Sequence, residues 1–297
     1  MAHSIWGVAP ATLIDLAGRK PLCGKWWRMT SKLRYLYRAY RYRYHVDPAE
    51  VRFVCGHLRA GQVAVDVGCH KGAYTYWMRR RVGPNGSVFA FEPQPRQVAY
   101  LRDVFSAMRY DNVAVVPMAL SDTTGQLSLH MSRMTHGASL EARGEERGAR
   151  GTEVGSGEWG VGNSRSSLVG PRSLLVDVTT LDAFFADRPQ GPVFVKIDVE
   201  GHELAVLRGA RHTLEAHRPT LLVECEARHR SDGDVRPVFE FLQSLGYEGS
   251  FFSSGRRRPL AEFDPNLDQA RDMNLHRLPR GYVNNFAFEH LDRNESR

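Results

Sequence analysis

The sequence predicts an α/β protein: a doubly wound, mostly parallel seven-stranded sheet preceded by an N-terminal helical extension. Short apolar runs at residues 63–67, 87–91, 113–117, 193–198 and 219–224 alternate with helix-length stretches, the order that builds a parallel sheet with right-handed crossovers. Two of these runs end in glycine-bearing turns that open helices, around Gly68–Gly72 and Gly201. Polar residues gather at the carboxyl ends of the same runs, where open α/β sheets place their ligands.

Composition narrows the class. The chain has 297 residues, enough for one large domain with additions, and 42% hydrophobic content supports a real core. No apolar stretch approaches the roughly 20 residues that span a bilayer. The first residues lack a basic segment followed by a long apolar run, which argues against secretion. Cys23, Cys55, Cys69 and Cys225 show no metal-ligand spacing. Free thiols and a cytoplasmic location are therefore expected. The net charge of +7 comes with five lysines against 35 arginines. Such a skew fits genome composition as well as an acidic partner, so nucleic-acid binding is disfavoured.

Taken in order, residues 1–59 form the extension. Trp26, Met29, Leu33, Leu36, Tyr37, Tyr40 and Tyr44 recur at helical steps with arginines between them. One reading of residues 20–44 is a peripheral membrane or acidic-partner helix. The favoured reading is a lid packed on the main domain. Asp47-Pro48 reads as a helix start, with proline at the first position. The main domain occupies residues 60–290 and a tail residues 291–297. Its strands include 127–131, 174–178, 247–252 and a closing strand at 282–288. Between them, residues 132–172 are rich in Gly, Arg, Glu and Ser, and are expected to be an insertion, disordered over 141–167.

The run Val193-Phe-Val-Lys-Ile-Asp-Val-Glu-Gly-His-Glu203 organises the candidate site. Strand period two puts Lys196, Asp198 and Glu200 on one face. A lysine inside an apolar strand needs a partner or a task. Glu200 and Glu203 read equally well as acids at a helix N-terminus. Upstream, Asp66, Gly68, His70 and Gly72 form a strand-to-helix nucleotide turn in which glycine permits close backbone approach. His70 breaks the dinucleotide pattern Gly-x-Gly-x-x-Gly, and the Lys-Ser/Thr ending of a phosphate loop is missing. The looser form suits a ligand without pyrophosphate, such as S-adenosylmethionine. Glu92, at the end of the second strand, is placed to accept both ribose hydroxyls. Ser121 and Asp122 lie where such sheets meet an adenine.

These residues resemble the FkbM-type methyltransferases, class I S-adenosylmethionine-dependent enzymes with a Rossmann-like sheet. The likeness covers about residues 60–226 and the final strand, without the insertion. It is carried by Val65-Asp-Val-Gly-Cys-His-Lys-Gly72, Phe91-Glu-Pro93, Ala119-Leu-Ser121, Thr180-Leu-Asp182, Leu207-Arg-Gly209, Pro219–Glu224 and, most specifically, Lys196-Ile-Asp-Val-Glu-Gly-His-Glu203. Where this chain has Cys69-His70, the family usually has Ala-Asn. The resemblance implies O-methylation of a hydroxyl on a carbohydrate or glycolipid, or on a macrolide-like or other secondary metabolite. A non-enzymatic cofactor- or nucleic-acid-binding module is the contrasting possibility.

Methyl transfer to a hydroxyl needs alignment and a route for the proton. Asp198, Lys196, Glu200 and Glu224 are the expected catalytic residues. Asp198 and Glu224 are also the candidate ligands for an optional Mg²⁺. His136 in the insertion and Asn284 and Asn285 in the last strand are further candidates for contact with the acceptor.

Overall fold

A computed structural model describes residues 30–131, 138–141, 172–230, 232–269 and 281–292. Trp26, Met29, His136 and residues 142–167 of the stretch expected to be disordered lie outside the described residues. The main sheet is mixed and mostly parallel. Its parallel core consists of β1 (Val63–Val67), β2 (Ser87–Phe91), β3 (Val113–Val116), β8 (Phe194–Ile197) and β9 (Thr220–Glu224), in the spatial order β9-β8-β1-β2-β3. On the β9 side, β12 (Asn285–His290), β10 (Tyr247–Ser253) and β11 (Arg256–Pro259) follow in antiparallel pairings. The sheet therefore has eight strands among the described residues, not the seven expected. The extra one is β11, an edge strand of three arginines and a proline, all exposed. Only its backbone pairing with β10 makes it a strand.

A second sheet joins β4 (Ala119–Leu120), β7 (Arg172–Thr179), β5 (Gly125–Met131) and β6 (Ala138–Glu141) in that order. β6 lies within the stretch expected to be an insertion and pairs with β5, at the start of the segment expected to be disordered.

Residue alternation along the central strands sorts the core into two layers. Val65, Val195, Leu221 and Phe286 face one side, under helices α5 (Leu181–Phe185), α6 (Glu203–Arg208), α7 (Arg211–His217) and α8 (Arg236–Ser244). Ala64, Phe194, Leu222 and Ala287 face the other, under α1 (Ser31–Arg41), α2 (Pro48–His57), α3 (Ala73–Val82) and α4 (Pro95–Met108). Asp66 and Lys196 are register partners on neighbouring strands. They share the parity of Ala64 and Phe194, so both lie on the α1–α4 side.

The extension packs on the domain, but not through the whole expected stripe. Leu33, Tyr37, Tyr40 and Tyr44 are exposed, while Tyr35 and Ala39 are fully buried and Leu36 packs partly against the core. Tyr35 meets Tyr76, Phe105 and Tyr110 edge-on, a favoured aromatic geometry. Beyond α1 the chain makes one π-helical turn, Tyr42–Val46, closed by the Asp47 N–H on the Tyr42 carbonyl at 3.0 Å. Such turns re-aim the residues that follow them. No helix among the described residues is long and apolar enough to cross a membrane.

Candidate active site

Two cavities open at the carboxyl ends of β1, β2 and β8 and share four residues: Gly68, His70, Asp198 and Glu200. The smaller, about 100 Å³, is walled by Phe91, Glu92, Met118, Leu120 and Leu129. The larger, about 1050 Å³, is walled by Arg38, Tyr42, Asp47, Tyr74, Lys196, Glu224, Tyr282 and Asn284 among others. A mostly apolar slot thus leads into a broad polar chamber.

The turn between the cavities is built from backbone. Gly68 (φ +72°), His70 (φ +49°) and Gly72 (φ +72°) are left-handed, which glycine adopts without strain. A Cβ on Gly68 would lie 1.8 Å from the Asp198 carbonyl oxygen, so only glycine lets the turn touch the tip of β8. Histidine and asparagine are both enriched among left-handed non-glycine residues. His70 therefore meets the left-handed backbone demand of this turn. Glu92 pins the turn: its carboxylate accepts the His70 N–H and the Gln94 N–H, each at 2.9 Å. Burial raises its pKa to about 7.

At the tip of β8, Lys196 is 2% exposed and donates from Nζ to Asp198 Oδ2 at 2.9 Å. Burial works to lower the lysine pKa, but Asp198, Asp66 and Glu224 outweigh it and raise it. Its ammonium also lies 4.8 Å from the Tyr74 ring centre, within cation–π range. Asp66 is buried and accepts the Thr75 hydroxyl on Oδ2 at 2.5 Å; its Oδ1 is buried without a hydrogen-bond partner. Glu224 accepts from Asn284 Nδ2 at 2.9 Å, and burial, then Asp198, push its pKa well up.

The expected residues separate into two groups. Asp66, Gly68, His70, Lys196, Asp198, Glu200 and Glu224 all line the larger cavity, and Glu92 the smaller. Gly72, Ser121 and Asp122 line neither. The Ser121 hydroxyl bonds His202 Nε2 at 2.9 Å and Asp122 Oδ1 at 3.2 Å, and its carbonyl packs on Gly209. Glu200 reaches the cavity by a different route from the one strand alternation predicts. β8 ends at Ile197, and Glu200 sits in a left-handed turn (φ +48°). Glu203 is the structural acid of the pair: it is buried, and its Oε1 accepts the Gly201 N–H at 2.6 Å. Asn285 is buried and donates to its neighbour Asn284 at 3.2 Å.

The pattern of the methyltransferase FkbM domain matches residues 66–248, more than half of the chain. The chain belongs to the FkbM methyltransferase family. No curated protein matches it significantly by sequence. Among solved structures, it is similar to a methyltransferase FkbM from Methylobacillus flagellatus, at 16% identity and a TM-score of 0.45. That match covers 88% of this chain but only 55% of the other. A cofactor-bound protein from MTB matches at 16% identity and a TM-score of 0.44, covering 93% and 92%. A SAM-dependent O-methyltransferase from Thermotoga maritima matches at 14% and 0.38, covering 82% and 65%. The family assignment rests on the sequence pattern alone.

Within this FkbM-family site, the residue that sequence reasoning missed is Asp47. Its position before Pro48 reads as a helix cap, yet its side chain makes no cap hydrogen bond. Instead Oδ2 accepts the Tyr74 hydroxyl at 2.9 Å, on the cavity wall, and burial raises its pKa to about 6. No local signal reports this, since the contact joins residues far apart in sequence. Cys69 is the opposite case. It is buried and its thiol pKa is pushed well up by burial, which keeps it a poorly reactive thiol.

The Mg²⁺ expectation does not fit the donor set. Among the described residues no three His, Cys, Asp or Glu side chains converge as metal ligands. The Lys196 ammonium already supplies positive charge to Asp198.

Glu203 carries a pH prediction. Burial raises its carboxyl from the ordinary glutamate value near 4.5 to about 7. The folded state therefore keeps a proton that the unfolded chain has lost, and stability falls as the pH rises across that window. Glu203→Gln, a neutral isostere, should match wild type below about pH 4.5 and exceed it above about pH 7, by at most roughly 3 kcal/mol. Thermal melts at the two ends of the window check this; a variant that loses stability with rising pH as wild type does would refute it.

Proposed function

We propose that this protein is an S-adenosylmethionine-dependent O-methyltransferase that acts on a hydroxyl of a carbohydrate or glycolipid. The observation that carries the reading is the junction of the two cavities at Gly68 and Asp198. The adenosine half fits the smaller, mostly apolar cavity, where Glu92 faces the ribose and Leu120 and Leu129 enclose the base. The amino-acid half follows the Gly68–Gly72 turn, and Asp66 Oδ1, buried without a hydrogen-bond partner, fits its ammonium. Bound there, the donor supplies a methyl group on a sulfonium, an electrophile needing no further activation.

The chain's own residues supply alignment and proton transfer. The acceptor enters the larger cavity, whose wall of carboxylates, amides and phenols suits a polyhydroxylated molecule. Asp198 takes the hydroxyl proton, held in place by Lys196. Glu224 and Glu200 line the same cavity. A macrolide-like acceptor would call for a more apolar wall than Asp47, Glu224, Tyr282 and Asn284 provide.

The test is transfer of labelled methyl from S-adenosylmethionine to a panel of polyols, glycolipids, macrolides and amines. Incorporation at a sugar hydroxyl, unchanged by excess EDTA, is expected. Labelling only of nitrogen, or loss of activity on chelation, would sink this form of the reading.

A further inference from the structure

The larger cavity has a divided electrostatic wall. Its acids are Asp47, Glu50, Asp66, Asp198, Glu200 and Glu224; Asp47, Asp198 and Glu224 are engaged with Tyr74, Lys196 and Asn284. Its outer part carries Arg38, Arg41, His45 and Lys71. The first three come from α1 and the π-helical turn, at spacings of three and four residues that set them along one helical side. Lys71 comes from the cofactor turn. Arg38 and Lys71 are close enough that Arg38, after burial, is the second cause lowering the Lys71 pKa. Arg38 Nη1 is buried with no hydrogen-bond partner. Among the described residues, Arg38, Arg41 and Lys71 form no salt bridge.

Like charges gathered along one side of a cavity without a salt-bridge partner are stabilised by an anion. One carboxylate, such as that of the donor, is matched by a single guanidinium fork. Two arginines almost a turn apart, with a lysine and a histidine, exceed that need and match a doubly charged group. Building on the proposed function, we propose that the acceptor carries a phosphate, bound by Arg38, Arg41 and Lys71, while its hydroxyl reaches Asp198. The phosphate would sit at the mouth of the cavity and the reacting carbon chain or ring would lie inward, so the cations fix which hydroxyl meets the methyl group.

The test separates this proposal from the reading beneath it. S-adenosylhomocysteine is titrated first into wild type, Arg41→Gln and Arg38→Gln/Arg41→Gln; failure of wild type to bind would count against the proposed function. Inorganic phosphate, then acetate, is titrated into each protein with S-adenosylhomocysteine present. Saturable phosphate binding by wild type is expected, tighter than acetate, and weakened by about tenfold or more in the double variant. S-adenosylhomocysteine affinity should stay within about threefold. Arg41 is exposed, so its single variant keeps the test open if the double variant misfolds, with an intermediate loss expected. The proposal is overturned if wild type does not bind phosphate, if acetate binds as well, or if the variants lose S-adenosylhomocysteine and not phosphate. The last outcome would assign the cations to the donor's carboxylate.

Discussion

Asp198→Asn should lower turnover by roughly 10²- to 10⁴-fold, the range lost with a general base, while S-adenosylhomocysteine affinity stays within about tenfold. The amide keeps the side-chain shape and still accepts from Lys196, but it cannot take up a proton from a hydroxyl. Asp198 is singled out because its side chain is 32% exposed, although it is paired with a lysine that is 2% exposed. It also lines both cavities. The loss should appear in kcat more than in KM, because the interaction removed is one made in the transition state. Turnover near the wild-type level in this variant would contradict the assignment and move the search for the base to Glu224 or Asp47.

Lys196→Met should be the most destabilising of the conservative-volume changes at the site. The ammonium is the shared partner of Asp198, Asp66 and Glu224, and removing one member of a buried ion pair costs about 3–5 kcal/mol. For a chain of this size that corresponds to a fall in Tm of roughly 6–15 °C. The deficit should widen as the pH rises from about 4 to about 7. In the variant the orphaned carboxyls hold protons that the unfolded chain releases, so ionising them then works against folding. Thermal melts of the two proteins at both pH values measure it. An equal deficit at both would mean that lost packing, not unpaired charge, dominates.

Strands β1 and β2 were legible to the residue, because burial on both faces leaves an apolar run with sharp ends. β11 was not, since an exposed arginine-rich edge strand has no hydrophobic pattern to read. α1 showed its period but not its seat. Tyr35 and Ala39 turn inward, and the more obvious Leu33, Tyr37, Tyr40 and Tyr44 stay outside. At the site, the cofactor turn and the Lys196–Asp198 pair followed from glycine positions and from a lysine where none should be. Residues brought in by long-range packing, namely Asp47, Tyr74 and Tyr282, left no local trace. Alternation also failed three residues past the end of β8, where Glu200 (φ +48°) turns left-handed and Gly201 (φ +96°) packs against the His229 carbonyl. That turn presents Glu200 to the cavity and leaves Glu203 as its buried brace.

The central claim is that donor and acceptor meet where the two cavities join. A crystal structure with S-adenosylhomocysteine tests it most directly. The adenosine should occupy the smaller cavity with its ribose against Glu92, and the sulfur should face the Asp198 carboxylate across the larger one. Adenosine seated in the larger cavity, or a sulfur turned away from Asp198, would contradict it.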